Sequence, residues 1–332
     1  MITNQWIRKI GLFVVKKDRA IDLSQFRVRF KLSNADFESP NSAFIRVYNL
    51  DSTTMQSIKQ EYSQVVLNAG YNTYQGASPN YGVIFQGSII QFRSGRENAT
   101  DTYLDILAAD GDLGYNDGFF FKNYAAGTPY SQPMQDVANA MYQKNSNDPN
   151  AKNSDVTLRL SGIDPAHSPA IRGQVLMGLG RAHLRMTSRT FQHMWSIQDG
   201  QVKILPLSGP PAGTAQTPFE INTSTGMIGI PEQTVAGIEV RCLLNPIIRI
   251  GSFVKLNNGD INKLEQQNPN IALAYNRNPQ FGLQNNTPLA TQTDGVYMVF
   301  AAEHEGDTRG NEWHTDLICL AVEVNQQTVS SN

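Results

Sequence analysis

Charge is scarce in this sequence. Asp, Glu, Lys and Arg make up 17% of its 332 residues, where about a quarter is ordinary for a soluble domain. The net charge is only −2. A balance so near zero argues against general affinity for nucleic acid or an anionic membrane surface. Long apolar runs are missing too. The N-terminal "IGLFVV" is too short for a signal-peptide core or a membrane span. The chain is therefore expected to be made and kept in a cytosol, unless something larger carries it out. Cysteine is nearly absent. Cys242 and Cys319 stand alone in the apolar runs "EVRCLL" and "LICLAV", with no CxxC between them. Zinc-ribbon and thioredoxin readings fail, and two buried, reduced, unpaired thiols are expected. There is also no H-E-x-x-H, no GxxxxGK[ST] and no GxSxG. Without such a set, a structural or binding role is the simpler reading.

What remains is apolar residues, Asn, Gln, Ser, Thr and Gly. That mixture leaves a polar but largely uncharged surface, which suits protein contacts because few ions must be desolvated. The length suggests two or three domains. The first hundred residues read as β. In "QFRVRFKL", Phe26, Val28, Phe30 and Leu32 alternate with Gln25, Arg27, Arg29 and Lys31, the pattern of a half-buried strand. "SAFIRVYNL", "SQVVLNAGY", "YGVIFQGSIIQF" and "DTYLDILAADGD" follow as further strands. Between them "LDSTTMQSIKQEY" holds a short helix, with Thr53 or Ser52 as its expected cap.

The pattern changes near Gly114. Met134, Val137, Ala138, Met141 and Tyr142 fall on one helical face, with Pro133 and Asp136 suited to its first turn. A second helix is expected near "GRAHLRMTSRTFQ". It leads into "MWSIQDGQVKILPL", a hairpin turning at Asp199-Gly200. After the Pro/Gly-rich "LSGPPAGTAQTP", β patterns resume in "GIEVRCLLNP", "GSFVKLN", "GVYMVFAAEH" and "EWHTDLICLAVEV". The Asn/Gln-rich excursion at 258–293 is long for a loop in a compact domain. The closing "NQQTVSSN" reads as a frayed tail.

Four groups of residues raise functional questions. "EHEGDTRGNEWHT" gathers His304, Glu305, Asp307 and His314, raw material for a metal site or a metal-dependent hydrolase. The flanking β runs, Gly306, Gly310 and Arg309 instead favour a hairpin, with Trp313 anchoring the returning strand. "MGLGRAH" faintly echoes a dinucleotide fingerprint, but His183 stands at the third glycine and no second βα unit follows. Arg181, Arg185 and Arg189 recur at helical spacing. They would meet an acidic partner or, more simply, water. The basic face Arg27, Arg29 and Lys31 poses the same choice.

Taken in order, "AFIRVYNL", "VVLNAGY" and "IFQGSIIQFRSGRENATDTYLDILAADGD" resemble the N-terminal barrel of tail-hub proteins from contractile-tailed bacteriophages. "WSIQDGQVKILP" is similar to their middle domain. "GIPEQTVAGIEVRCLLNPIIRIGSFVKL" and "GVYMVFAAEHEGDTRGNEWHT" are similar to their last β domain. The resemblance, to the Mu-like and T-even-like baseplate hub family, covers most of the chain. The 258–293 excursion departs from the compact family pattern. The expected fold is mainly β, α+β overall. Two β-barrel-like domains (1–115 and 209–332) flank a small α/β domain (116–208). The resemblance further implies a non-enzymatic virion protein without cofactor or metal, assembled in the bacterial host cytoplasm. It would form a homotrimer at the tail baseplate, between the tail tube or tube-initiator protein and the central spike, in contact with other baseplate proteins. DNA would pass through its channel without specific binding, and no membrane anchor is implied. The other function weighed is a monomeric glycan- or receptor-binding β module.

Overall fold

A computed structural model describes residues 7–16, 19–35, 38–72, 80–146, 168–206, 217–234, 237–257 and 295–321. The 258–293 excursion and the C-terminal "NQQTVSSN" lie outside these residues. The N-terminal part supplies β1 (Arg8–Lys16), β2 (Arg19–Asp22), β3 (Val28–Ala35), β4 (Ser42–Tyr48), the helix α1 (Ser52–Glu61), β5 (Gln64–Tyr71), β6 (Tyr81–Arg96) and β7 (Thr102–Ala109). The middle part contains α2 (Asp112–Asp117), β8 (Phe119–Tyr124), α3 (Ser131–Ser146), β9 (Gln174–Leu179), α4 (Gly180–Thr190), β10 (His193–Gln198) and β11 (Gln201–Pro206). Last come β12 (Phe219–Glu220), β13 (Met227–Thr234), β14 (Gly237–Leu243), β15 (Phe253–Lys255), β16 (Val296–Asp307) and β17 (Trp313–Ala321).

The mainly β class holds. The alternation in β3 buries Val28, Phe30 and Leu32 completely. Phe26 sits in the turn before the strand and packs on the same core. The cap of α1 is Asp51, not Ser52 or Thr53. Its carboxylate accepts from the amides of Thr53 and Thr54 at 3.0 Å, and an ionised oxygen is the stronger acceptor at a helix N-terminus. The face expected for α3 is the buried one, through Met134, Val137, Ala138 and Met141. The β10–β11 hairpin turns where expected. Asp199 and Gly200 both take positive φ, 54° and 77°, as a two-residue turn matched to strand twist requires.

The described residues form three large hydrophobic clusters, one centred on each part of the chain. What local pattern could not reveal is that both β regions belong to one sheet. Among the described residues thirteen strands join, in the order β13-β14-β17-β16-β3-β4-β7-β6-β5-β1-β2, with β15 on β16 and β12 parallel to β15. The join is the antiparallel pairing of β16 with β3. One edge of β16 carries β15 at Val296–Met298 and β3 at Ala301–Asp307. Between these segments Phe300 is an extra residue in the register with β17, since Val299 faces Cys319 and Ala301 faces Ile318. A bulge there bends the strand as it leaves one core for the other.

Candidate functional site

The hairpin of β16 and β17 closes at residues 308–312, inside the stretch that looked like a metal site. Register places His304 opposite Thr315 and Glu305 opposite His314. Successive strand residues point to opposite faces, so the two imidazoles lie on opposite sides of the sheet and cannot share an ion. His304 is buried, with Nδ1 2.9 Å from Thr315 Oγ1. Burial, helped by the positive charge of Arg249, pulls its pKa down to about 4. His314 faces the outer side, 3.6 Å from Asp316 and 4.0 Å from Glu305.

Asp307 is buried and held by cations of the chain itself. Arg27 reaches both its oxygens, at 3.3 and 2.7 Å, and the Arg309 amide donates at 2.9 Å. Burial pushes the Asp307 carboxyl up, but these donors outweigh it and hold the group below its ordinary range. Arg8 of β1 donates to the carbonyls of Asp307, Gly310 and Asn311, and its guanidinium lies 5.5 Å from the Trp313 ring. Two guanidinium groups thus occupy the place a metal cation would need. No group of three or more potential metal ligands occurs among the described residues.

The basic row along β3 and just before it is both solvated and paired, its side chains being 38–57% exposed. Arg27, Arg29 and Lys31 meet Asp307, Glu305 and Glu303 at 2.7, 3.8 and 3.5 Å. Each base pairs with the acid diagonal to it across the β3–β16 seam. The Lys31 and Glu303 side chains are 57% and 47% exposed, so their pair adds little stability. On the opposite face Trp313 is buried within the N-terminal core, edge-on to Phe30 at 5.6 Å. Gly306 is required between them: an added Cβ would lie 2.4 Å from the Phe30 ring and 2.9 Å from Trp313.

A second junction gathers all three parts. The Asp199-Gly200 turn enters a crevice that also presents Asn41, Asp110, Lys203, Arg249 and His304. The Gly200 amide donates to Asp110 at 2.6 Å. Asn41 donates to the Ile197 carbonyl at 3.0 Å and to Gln198 at 2.9 Å. From the C-terminal side, Arg249 pairs with Asp199 and donates to the Val83 carbonyl at 3.2 Å. Burial, and then the charge of Asp199, push Asp110 up to about 7. The crevice encloses only about 30 Å³. That admits a water molecule or two, whereas substrate pockets run to hundreds of cubic ångströms. No local signal marked Asp110 or Asn41; neither stands in a motif.

Arg185 pairs with Glu38, and Arg189 lies 3.8 Å from the same carboxylate. Arg181 donates to the Tyr115 carbonyl at 3.3 Å and to Asn116 at 3.0 Å. The row on α4 therefore stays largely in water, Arg185 and Arg189 being 47% and 66% exposed, while the Arg185–Glu38 pair docks the middle part on the N-terminal one. In "MGLG", β9 and β10, the strands before and after α4, belong to different sheets, so they form no βαβ unit. The Gly180 amide, where a phosphate would sit, donates to the Gly118 carbonyl at 2.8 Å. Cys242 and Cys319 are buried and unpaired in the C-terminal core. Burial pushes Cys242 up to about 12 and raises Cys319 as well. Either Cys→Ser change is expected to lower stability by about 1–3 kcal/mol, because the hydroxyl would be buried in an apolar cluster. Denaturant titration of the two variants checks this; wild-type midpoints in both would refute it.

No helix among the described residues is long and apolar enough to cross a membrane. No family model matches the sequence, and no curated protein matches it. Solved structures do. The chain is similar to the tail protein from Neisseria meningitidis MC58, with TM-score 0.52, 9% identity, and 95% of this chain and 96% of that chain covered. It is also similar to the 43 kDa tail protein of prophage MuSo2 from Shewanella oneidensis, with TM-score 0.49, 8% identity, and 94% and 98% covered. A third is the E. coli c3393 protein, a component of the type VI secretion system, with TM-score 0.49, 9% identity, and 89% and 73% covered. At such identities the likeness is one of fold. It extends along nearly the whole length of both chains in the Neisseria case.

Proposed function

We propose that this chain is a structural hub of a phage-type tail baseplate. In this reading three copies form a ring that joins the tail tube, or its initiator protein, to the central spike. DNA passes through the ring on ejection. The chain is a virion component assembled in the host cytoplasm and carries no catalytic set. Its parts are the 1–115 and 209–332 β regions and the 116–208 α/β unit between them.

The observation that carries the reading is the end-to-end likeness of fold to the Neisseria tail protein. The internal construction supports it. A connector that transmits load between two ends gains from one sheet running through both β regions. The basic rows on β3 and α4 are paired with the chain's own carboxylates or carbonyls. A wall without free Lys and Arg rows would not grip phosphates and hold back a passing genome.

Imaging of assembled particles tests the proposal. Three copies around one axis, with a channel open once the spike is removed, are expected. A single copy, six copies, or a channel sealed by the chain itself would defeat it. A monomer in isolation that binds a glycan would favour the receptor-binding alternative.

A further inference from the structure

The two-stranded β8–β9 sheet packs one face on the middle core, with Lys122 there paired to Asp136, and turns an apolar face outward. Its inner positions Phe120, Tyr124 and Leu176 are buried in the middle core. Its outer positions are Phe119, Phe121, Asn123, Val175, Met177 and Leu179, and none carries a charge. Phe119, Phe121, Val175 and Met177 are 61%, 62%, 67% and 67% exposed. Register sets Phe121 opposite Met177, Phe119 opposite Leu179 and Asn123 opposite Val175, so the side chains form one patch and are not scattered. An antiparallel sheet with one face in water ordinarily carries polar residues there, and this outer face does not.

We infer that this outer face is a contact through which one copy of the chain packs against the next. The inference rests on the reading above that copies assemble, and it names a surface for that assembly. Two observations select a second copy as the occupant. The first is area. Two Phe, a Val and a Met, each about two-thirds exposed, together offer roughly 400–500 Å². With a matching surface on the neighbour the contact reaches about 1,000 Å², where a specific interface becomes distinguishable from a chance encounter. The second is charge: in a ring of three, each copy presents one surface to a different surface of its neighbour, and an uncharged apolar face can be buried there without stranding an ion. Nucleic acid would need Lys or Arg on this face, which has neither. A small ligand would need a concavity, and a two-stranded sheet surface supplies none.

The test uses the full chain and the double substitution Phe121→Asp with Met177→Asp. Both side chains already face water, so the thermal midpoint of the isolated chain should be unchanged, which separates misfolding from lost contact. Mass in solution is measured across concentration, alone and with purified tail-tube and spike proteins. The expected result is an assembling wild type and a variant whose self-association is weakened at least about 100-fold by two carboxylates buried without partners. A variant that assembles like the wild type overturns the inference and leaves the hub reading intact. A variant that self-assembles normally but no longer holds the tube or spike protein also overturns it, giving the face to that protein. A wild type that stays monomeric under every condition removes the hub reading and this inference together.

Discussion

Replacing Trp313 by alanine is expected to destabilise the protein by about 3–5 kcal/mol, the usual cost of deleting a buried large aromatic side chain. Trp313 begins β17, near the C-terminal end of the described chain, yet its ring belongs to the N-terminal core. It packs edge-on to Phe30, beside Gly306, and beneath the Arg8 guanidinium. The substitution therefore removes contacts between regions distant in sequence. Two results are expected together. The denaturation midpoint falls, and amides of β3 and β16 exchange faster than those at the far ends of the sheet. Uniform loss of protection throughout the sheet would show that Trp313 acts as ordinary core filling. An unchanged midpoint would show that the seam does not need it.

The second large effect concerns pH and sets two groups of one crevice against each other. Asp110 ordinarily titrates near 3.8, and in the fold near 7. Its charged form is disfavoured in the folded state, so between these values the fold holds a proton that the unfolded chain has released. Stability from Asp110 is thus highest below pH 4 and falls as pH rises to 7. At about 1.4 kcal/mol per pH unit the whole interval amounts to about 4 kcal/mol. His304 runs the other way. Its pKa falls from 6.5 to about 4 in the fold, so its contribution is full above pH 6.5 and is lost as pH falls towards 4. Over pH 4 to 6.5 the two slopes nearly cancel in the wild type. Asp110→Asn keeps an oxygen for the Gly200 amide but abolishes the titration. Relative to wild type, its stability should be about 3–4 kcal/mol more favourable at pH 8 than at pH 4.5. His304→Gln should show the opposite trend, by about 3 kcal/mol. Urea titrations of the three proteins at pH 4.5, 6 and 8 decide it; variant-to-wild-type differences that stay constant with pH would refute the assignment.

Periodicity carried a good deal of this. The alternation in β3 and the 3.6-residue spacing in α3 identified which side chains are buried, because burial of a face is a local pattern. Asp199-Gly200 marked its hairpin because that turn needs two residues tolerant of positive φ. Pairing partners were another matter. Nothing near Arg27 indicates Asp307, and nothing near Arg185 indicates Glu38; both contacts depend on how distant elements meet. For the same reason the strand face and the basic helix row were legible as solvated, but the carboxylates they pair with were not. The His/Asp-rich stretch was recognisable as a hairpin from its glycines and flanking strands. Its role in welding two β regions was not, since edge-to-edge pairing of β16 with β3 has no local signature. Asp110 was invisible because one carboxylate at a strand end resembles any other until its neighbours are known.

The β3–β16 seam also fixes an order of events during synthesis. Arg27 and Asp307 are 280 residues apart. At about 5–20 residues per second, β3 emerges from the ribosome roughly 15 seconds to a minute before its partner strand. Its outer edge, with a free row of amides and carbonyls, waits through that interval beside other nascent chains of the same sequence. Exposed edges of this kind pair readily with the wrong strand. Arg29 and Lys31 then serve a purpose before any ion pair exists: identical edges carrying like charges repel one another. Only when β16 arrives, bringing Glu303, Glu305 and Asp307, does the repulsive edge become an attractive one.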